Sequence, residues 1–237
     1  VLVAAAVCPH PPVLVPEMAG EAAPELDAVR AACDRAIGHL AGADVLIVVG
    51  GGAQTCSYGT DAYATLRPYG LDWTSPGDPK GDAEALPLSL TIGHWLLERR
   101  GFEVGAHYQA VAFDAEPEEC LALGRGLAGA ADRVALLVMG DGSACRSEKA
   151  PGYLDERALP HDEGVARALG TADAAALAAL SPEVSRDLQA AGRAAWQVLA
   201  GATGGAAGLA GDLLAHEAPY GVGYFVACWS RTGRPAG

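Results

Sequence analysis

Apolar residues fall along this chain in two rhythms. The first is the short run. Leu2 to Val7, "VLIVVGGG" over 45–52, "RVALLVMGDG" over 133–142 and "YGVGYFVACW" over 220–229 are nearly continuous hydrophobic stretches. Runs of this length, bounded by Gly, Pro and Asp, predict strands buried on both faces. Val104 to Ala112 predicts a further strand. The second rhythm is helical. Leu26, Val29, Cys33, Ile37 and Leu40 share one face of a helix predicted over Pro24 to Leu40. Leu90, His94 and Leu97 do the same within Leu86 to Arg100, and Gly101 stands where a helix C-cap belongs. Further helices are predicted over Pro117 to Ala130, Pro160 to Leu169, Thr171 to Leu180 and Pro182 to Leu199. Gln54 to Lys80 has little period and reads as loop with a short strand or hairpin. Gly201 to Gly211 reads as a Gly/Ala-rich loop.

Strands alternating with helices define an α/β class: a mostly parallel or mixed central sheet with helices on both faces. With no linker or repeat in the pattern, one domain over residues 1–237 is expected. The irregular segments fall where the first, second and middle strands end. In open α/β sheets the carboxyl ends of the strands form the ligand edge. "CPHPP", "GGGAQT" and "GDGSACRSEKAPGY" are therefore expected to converge there, with "HEAPYGVGY" closing over them.

Composition narrows the partners. Hydrophobic residues make up 51% of the chain, which supports a large core. A formal net charge of −13, with only Lys80 and Lys149 as lysines, opposes binding to nucleic acid or to anionic membranes. No apolar stretch approaches the ~18 residues of a membrane helix. The first apolar run lacks the basic flank of a secretory signal, so a cytoplasmic protein is expected. The six cysteines include no CxxC pair, which argues against a zinc ribbon and for reduced thiols. The Arg, Ala and Gly bias suggests a GC-rich bacterial genome. Self-association as a homo-oligomer is left open; "AAWQVLAGA" packs either the core or a dimer interface.

His10 sits between prolines at a predicted strand end. It is either a simple turn residue or a group delivered to the ligand edge. The loop after the middle strand carries Asp141, Ser143, Arg146, Glu148 and Lys149 within nine residues. It reads either as an anion-binding loop for a carboxylate or phosphate or as an Arg146–Glu148/Asp141 surface network. Gly51 and Gly52 would let backbone approach a ligand closely. No Gly-x-Ser-x-Gly elbow or P-loop lysine is present. His39 and His94 read as structural, His107 as packed within a strand, His161 as a surface residue at a helix start, and His216 with Glu217 as either a surface pair or part of the site.

"CPHPPVLVPEMAG", "GDGSACRSEKAPGY" and "EAPYGVGYFVACW", in that order, resemble the LigB-like class III extradiol dioxygenase superfamily, which includes the Memo proteins, and within it a bacterial branch of proteins similar to a dioxygenase subunit. The resemblance implies a non-haem Fe(II) held by two histidines and a glutamate, with a further histidine as acid/base. His10 maps onto the first ligand and Glu217 onto the glutamate. Gly51 stands where the second histidine is expected, and Ala144 where the acid/base histidine is expected. Rescue by His161 or His216, or by Cys8, Cys56 or Cys145 as a soft ligand for another divalent metal, is open, as is a site without metal. The polar loop and the resemblance together point to a small anionic or aromatic ligand met by His10, Asp141, Ser143, Arg146, Lys149 and Tyr220. The protein acting on that ligand is either a divergent dioxygenase-like enzyme or a non-catalytic binding protein.

Overall fold

The computed structural model describes residues 1–79, 81–102, 106–204 and 208–231. The predicted buried runs form the centre of a seven-stranded sheet. These are β1 (Leu2–Cys8), β2 (Val45–Gly52), β6 (His107–Ala112), β7 (Val134–Met139) and β9 (Tyr224–Arg231). Three further segments complete the strand set: β3 (Cys56–Tyr58), the β4 (Ala64–Thr65) and β5 (Thr74–Ser75) hairpin, and β8 (Leu209–Glu217). The main sheet runs β3-β6-β2-β7-β1-β9-β8. β6, β2, β7 and β1 are parallel; β9, β8 and β3 pair antiparallel at the flanks. The mixed sheet is thus parallel across its four central strands and antiparallel at its flanks, where β9 too is buried on both faces. Among the described residues, no helix is long and apolar enough to cross a membrane.

Alternation along the strands splits the core in two. α1 (Pro16–Ala19) is a single turn, and Ala4, Ala6 and Cys8 of β1 face α2 (Asp27–Gly38) and α3 (Leu88–Arg99). Leu2, Ala5 and Val7 face the opposite layer of α4 (Pro117–Ala128), α5 (Ala158–Thr171), α6 (Ala174–Ala178) and α8 (Arg193–Ala202). The stripe predicted for α2 is fully internal: Leu26, Val29, Cys33, Ile37 and Leu40 are all buried. The helix itself begins later than expected, because a 3-10 turn over Gly20–Leu26 holds Pro24. α3 ends as its sequence predicts: Gly101 adopts φ +64°, its N–H donates to Glu98 O at 2.9 Å, and the Phe102 N–H donates to Leu97 O at 3.0 Å.

Two expectations need correction. The helix expected over Pro182 to Leu199 is two helices, α7 (Pro182–Asp187) and α8. Gln189 takes φ +53° between them. The link is held open because Leu188 O accepts the Ala144 N–H at 2.9 Å and the Gly192 N–H donates to Asp141 O at 2.8 Å. Tertiary bonds to the loop after β7 outweigh continued helix. The loop expected over Gly201 to Gly211 is shorter: α8 runs to Ala202 and β8 begins at Leu209, while residues 205–207 lie outside the described residues. The first part of the expected Val104 strand likewise lies outside them. "AAWQVLAGA" packs inside the chain, since every residue of α8 is buried.

Candidate functional site

The β1 strand ends by handing His10 to the carboxyl edge. Gly140 N–H donates to Cys8 O at 3.0 Å, which ties the ends of β1 and β7 together. The main-chain N–H of His10 donates to Asp141 Oδ1 at 2.8 Å, and the His10 ring places Nδ1 3.8 Å from the same oxygen. Pro9 and Pro11 keep this stretch extended, so the imidazole is aimed by backbone rather than by helix. His10 is only 6% exposed, and its Nδ1 is sealed from solvent without a hydrogen-bond partner. Burial raises the Asp141 carboxyl above its usual range, opposed by the His10 charge and the His10 N–H. Burial, and after it the same carboxylate, raises the phenol of Tyr224 on β9.

The loop after β7 is anchored from within the fold. Its residues close on Asp162 of α5, which is fully buried. Asp162 Oδ1 accepts the Ser143 N–H at 2.9 Å, and Oδ2 accepts from Arg146 Nη1 at 3.0 Å. Nδ1 of His161 lies 3.2 Å from Oδ1. Ser143 Oγ accepts the Cys145 N–H at 3.0 Å. A Cβ on Gly142 or Gly223 would collide with the Asp162 carboxylate. Arg146 thus pairs through Nη1 with the internal Asp162 carboxylate, and not with Glu148 or Asp141 as the surface network would require. Lys149 is exposed, and Tyr220 OH donates to Glu25 at 3.0 Å. His161 is not a surface residue; its side chain is 8% exposed and its Nε2 is buried without a partner. His107, expected to be packed, is exposed. His94 is structural as expected, bridging Tyr108 OH at 2.6 Å and Ser75 Oγ at 2.9 Å, and burial lowers its pKa.

The other implied ligands lie apart. Glu217 sits on β8 opposite Tyr224, with β9 between it and β1. His216, its neighbour, takes the other face of the strand and stacks on Phe225 with centroids 4.9 Å apart. Burial and then the Arg146 charge lower the His216 pKa, opposed by Asp162 and Glu163. At Gly51 a Cβ would run into the ring of Phe113, so an aromatic side chain fills the space a second histidine would need. Gly52 packs beside Ala110 and Pro87. Ala144 is buried, with its N–H bonded to Leu188. Desolvation, and after it the neighbouring Cys33, raises the thiol pKa of buried Cys8. Cys145 points its thiol at the carbonyls of Gly152 and Leu188. Cys56 lies on β3, at the far edge from β1. Among the described residues, no group of three or more His, Cys, Asp or Glu is arranged to hold a metal ion. The residues present do not fit the three-ligand iron centre that the resemblance implies.

Sequence reasoning placed His10 and Asp141 at this edge, and the fold brings them together. It missed Asp162, the residue that organises the loop, because an acid inside a helical period carries no local signal of burial.

No protein-family model matches the chain, and no curated protein matches it. Among solved structures, the crystal structure of the uncharacterized protein JW3007 from Escherichia coli K12 is similar. It has a TM-score of 0.59 at 13% identity, covering 96% of this chain and 99% of that one. That likeness establishes the α/β fold over nearly the whole chain.

Proposed function

We propose that this chain is a divergent relative of the class III extradiol dioxygenases. On this reading it binds a small anionic or aromatic metabolite at the carboxyl ends of β1 and β7 and lacks an oxygen-activating iron centre. One observation carries it: the buried His10 ring, with an unpartnered Nδ1 facing the Asp141 carboxylate at 3.8 Å. A short shift brings that pair into hydrogen-bond range, as often happens when a ligand closes such a site. Asp141 then fixes the Nδ1–H tautomer, and Nε2 is left to exchange a proton or a hydrogen bond with the ligand. The Phe113 ring against Gly51 and the alanine at position 144 favour this reading over ring cleavage.

The test offers Fe(II), Zn(II) and Mn(II) to anaerobically purified protein and counts bound metal. It then titrates catechol and 3,4-dihydroxybenzoate calorimetrically into the wild type, His10→Gln and Asp141→Asn, with oxygen uptake followed in parallel. The expected result is binding without stoichiometric metal or oxygen consumption, weakened about tenfold by either substitution. One equivalent of metal that is lost in His10→Gln, with oxygen uptake on catechol, would restore the ring-cleaving enzyme. Binding indifferent to both substitutions, or absent for both probes, would remove His10 from any site for this ligand class.

A further inference from the structure

A cavity of about 240 Å³ opens at the carboxyl end of β6, on the α4/α8 side of the sheet. The His10–Asp141 pair lies at the ends of β1 and β7, and the 189–191 link forms part of the wall between them. Phe113 and Asp114, just past β6, line one side. Ser185 and Arg186 of α7 continue the lining, and Arg193 of α8 joins it bonded to the Phe113 main chain.

Two features of this wall are unexplained by the fold alone. Arg193 is 2% exposed. Its Nη1 donates to Ala115 O at 2.5 Å and Gln197 Oε1 at 2.9 Å, and its Nη2 donates to Phe113 O at 2.7 Å. Its Nε is buried with no partner. Every acceptor it has is a neutral oxygen, and among the described residues no carboxylate lies within the 4.0 Å of an ion pair. A buried guanidinium is ordinarily paired with an anion. Ser185 is 4% exposed, and its hydroxyl is also buried without a partner. Two unpartnered donors thus belong to residues that line one cavity, each covered by neighbouring atoms, beside a guanidinium that no carboxylate touches directly.

The remaining wall sets the rest of the ligand. The 189–191 link contributes Ala190 and Ala191, and Phe113, 50% exposed, presents an aromatic ring. An apolar cavity of ~150 Å³ holds benzene, so 240 Å³ accepts one ring with a carboxylate attached. Exposed Arg186 adds positive charge at the rim; exposed Asp114 opposes a second negative group on the ligand.

We propose that this cavity binds a small aromatic monocarboxylate, whose carboxylate accepts from Arg193 Nε–H and the Ser185 hydroxyl as the wall opens slightly to admit it, and whose ring lies against Phe113. The site is independent of His10. Its ligand completes the hydrogen bonding that folding leaves open on this wall.

The experiment titrates benzoate and phenylacetate calorimetrically into the full chain, with benzyl alcohol and succinate as the neutral and dianionic controls. Both monocarboxylates are expected to bind one per chain, and each control at least about tenfold more weakly. Ala191→Trp, which fills the cavity, abolishes binding. Ser185→Ala weakens it about tenfold while leaving the ligand-free melting temperature unchanged or higher, because it deletes an unsatisfied polar group. A merely structural serine would instead lower that temperature. His10→Gln leaves benzoate binding intact. The proposal is overturned if benzoate fails to bind at concentrations of about 10 mM, if Ser185→Ala and Ala191→Trp leave binding unchanged, or if His10→Gln abolishes it.

Discussion

Asp141 carries two loads at once: it accepts the His10 N–H and it stands 3.8 Å from the His10 ring. Its carboxyl titrates above the usual 3.8 because burial disfavours the charge more than His10 favours it. The sign of the resulting pH dependence follows. As pH rises from about 4, the unfolded chain loses this proton first, and the folded chain holds it until its higher value is passed. Stability therefore falls across that window. Asp141→Asn removes the contribution while keeping a side-chain oxygen for the His10 N–H. Urea midpoints taken in steps upward from about pH 4 should fall less steeply in the variant than in the wild type. Equal slopes would mean that Asp141 keeps its charge on folding. At this scale the sequence was readable only where a strand end pointed to it. His10 and Asp141 follow apolar runs, so their place at the edge could be inferred. Asp162, Ser185 and Arg193 sit within helices, where polar residues ordinarily face water. Nothing in a helical period marks the three as buried at 0%, 4% and 2% exposure.

At the scale of elements, α4 and α8 approach until main chains touch. A Cβ on Gly124 would collide with the Val198 carbonyl of α8, and one on Gly201 with the Leu121 carbonyl of α4. Two glycines on facing helices thus permit a contact that larger residues forbid, since packed interiors yield little to added volume. Gly126, one residue pair further along α4, is exposed, and a Cβ there meets nothing within 4 Å. The two positions should respond with opposite signs. Gly124→Ala should cost about 1–3 kcal/mol through overpacking, and Gly126→Ala should gain about 0.5–1 kcal/mol through reduced freedom of the unfolded chain. Guanidinium unfolding of the two variants decides it; stabilisation by both would mean the helices separate readily. Sequence periodicity had predicted both helices without their closeness. It had also joined α7 to α8, because the features that part them are hydrogen bonds that Leu188 and Gly192 make with Ala144 and Asp141, in a loop far earlier in the chain. The β8 strand was missed for a related reason. Its burial is intermediate along most of its length, with Ala210 and Asp212 exposed, so it lacks the apolar run that betrayed its neighbours.

Across the whole molecule, one sheet serves two cores, and its central strands divide their residues between them. β1 gives Ala4, Ala6 and Cys8 to the α2/α3 layer and Leu2, Ala5 and Val7 to the α4/α5/α8 layer. β7 does the same with Ala135, Leu137 and Met139 against Val134, Leu136 and Val138. Melting either layer exposes the reverse face of strands that the other layer needs in register, so the two layers should unfold together. The four tryptophans divide in a way that tests this. Trp73 and Trp95 pack against the α2/α3 core. Trp196 and Trp229 are fully buried in the other, where Trp229 Nε1 donates to Leu169 O at 2.7 Å. A Trp73→Phe/Trp95→Phe variant fluoresces only from the second layer, and a Trp196→Phe/Trp229→Phe variant only from the first. Each variant has its own stability, so the comparison is made within each protein, between its fluorescence midpoint and its far-ultraviolet circular dichroism midpoint in urea. Coincidence in both is expected from a shared sheet. If fluorescence leads circular dichroism in one variant and lags in the other, the layers melt separately. The cavity beside β6 and the His10 edge would then sit on structures of unequal stability.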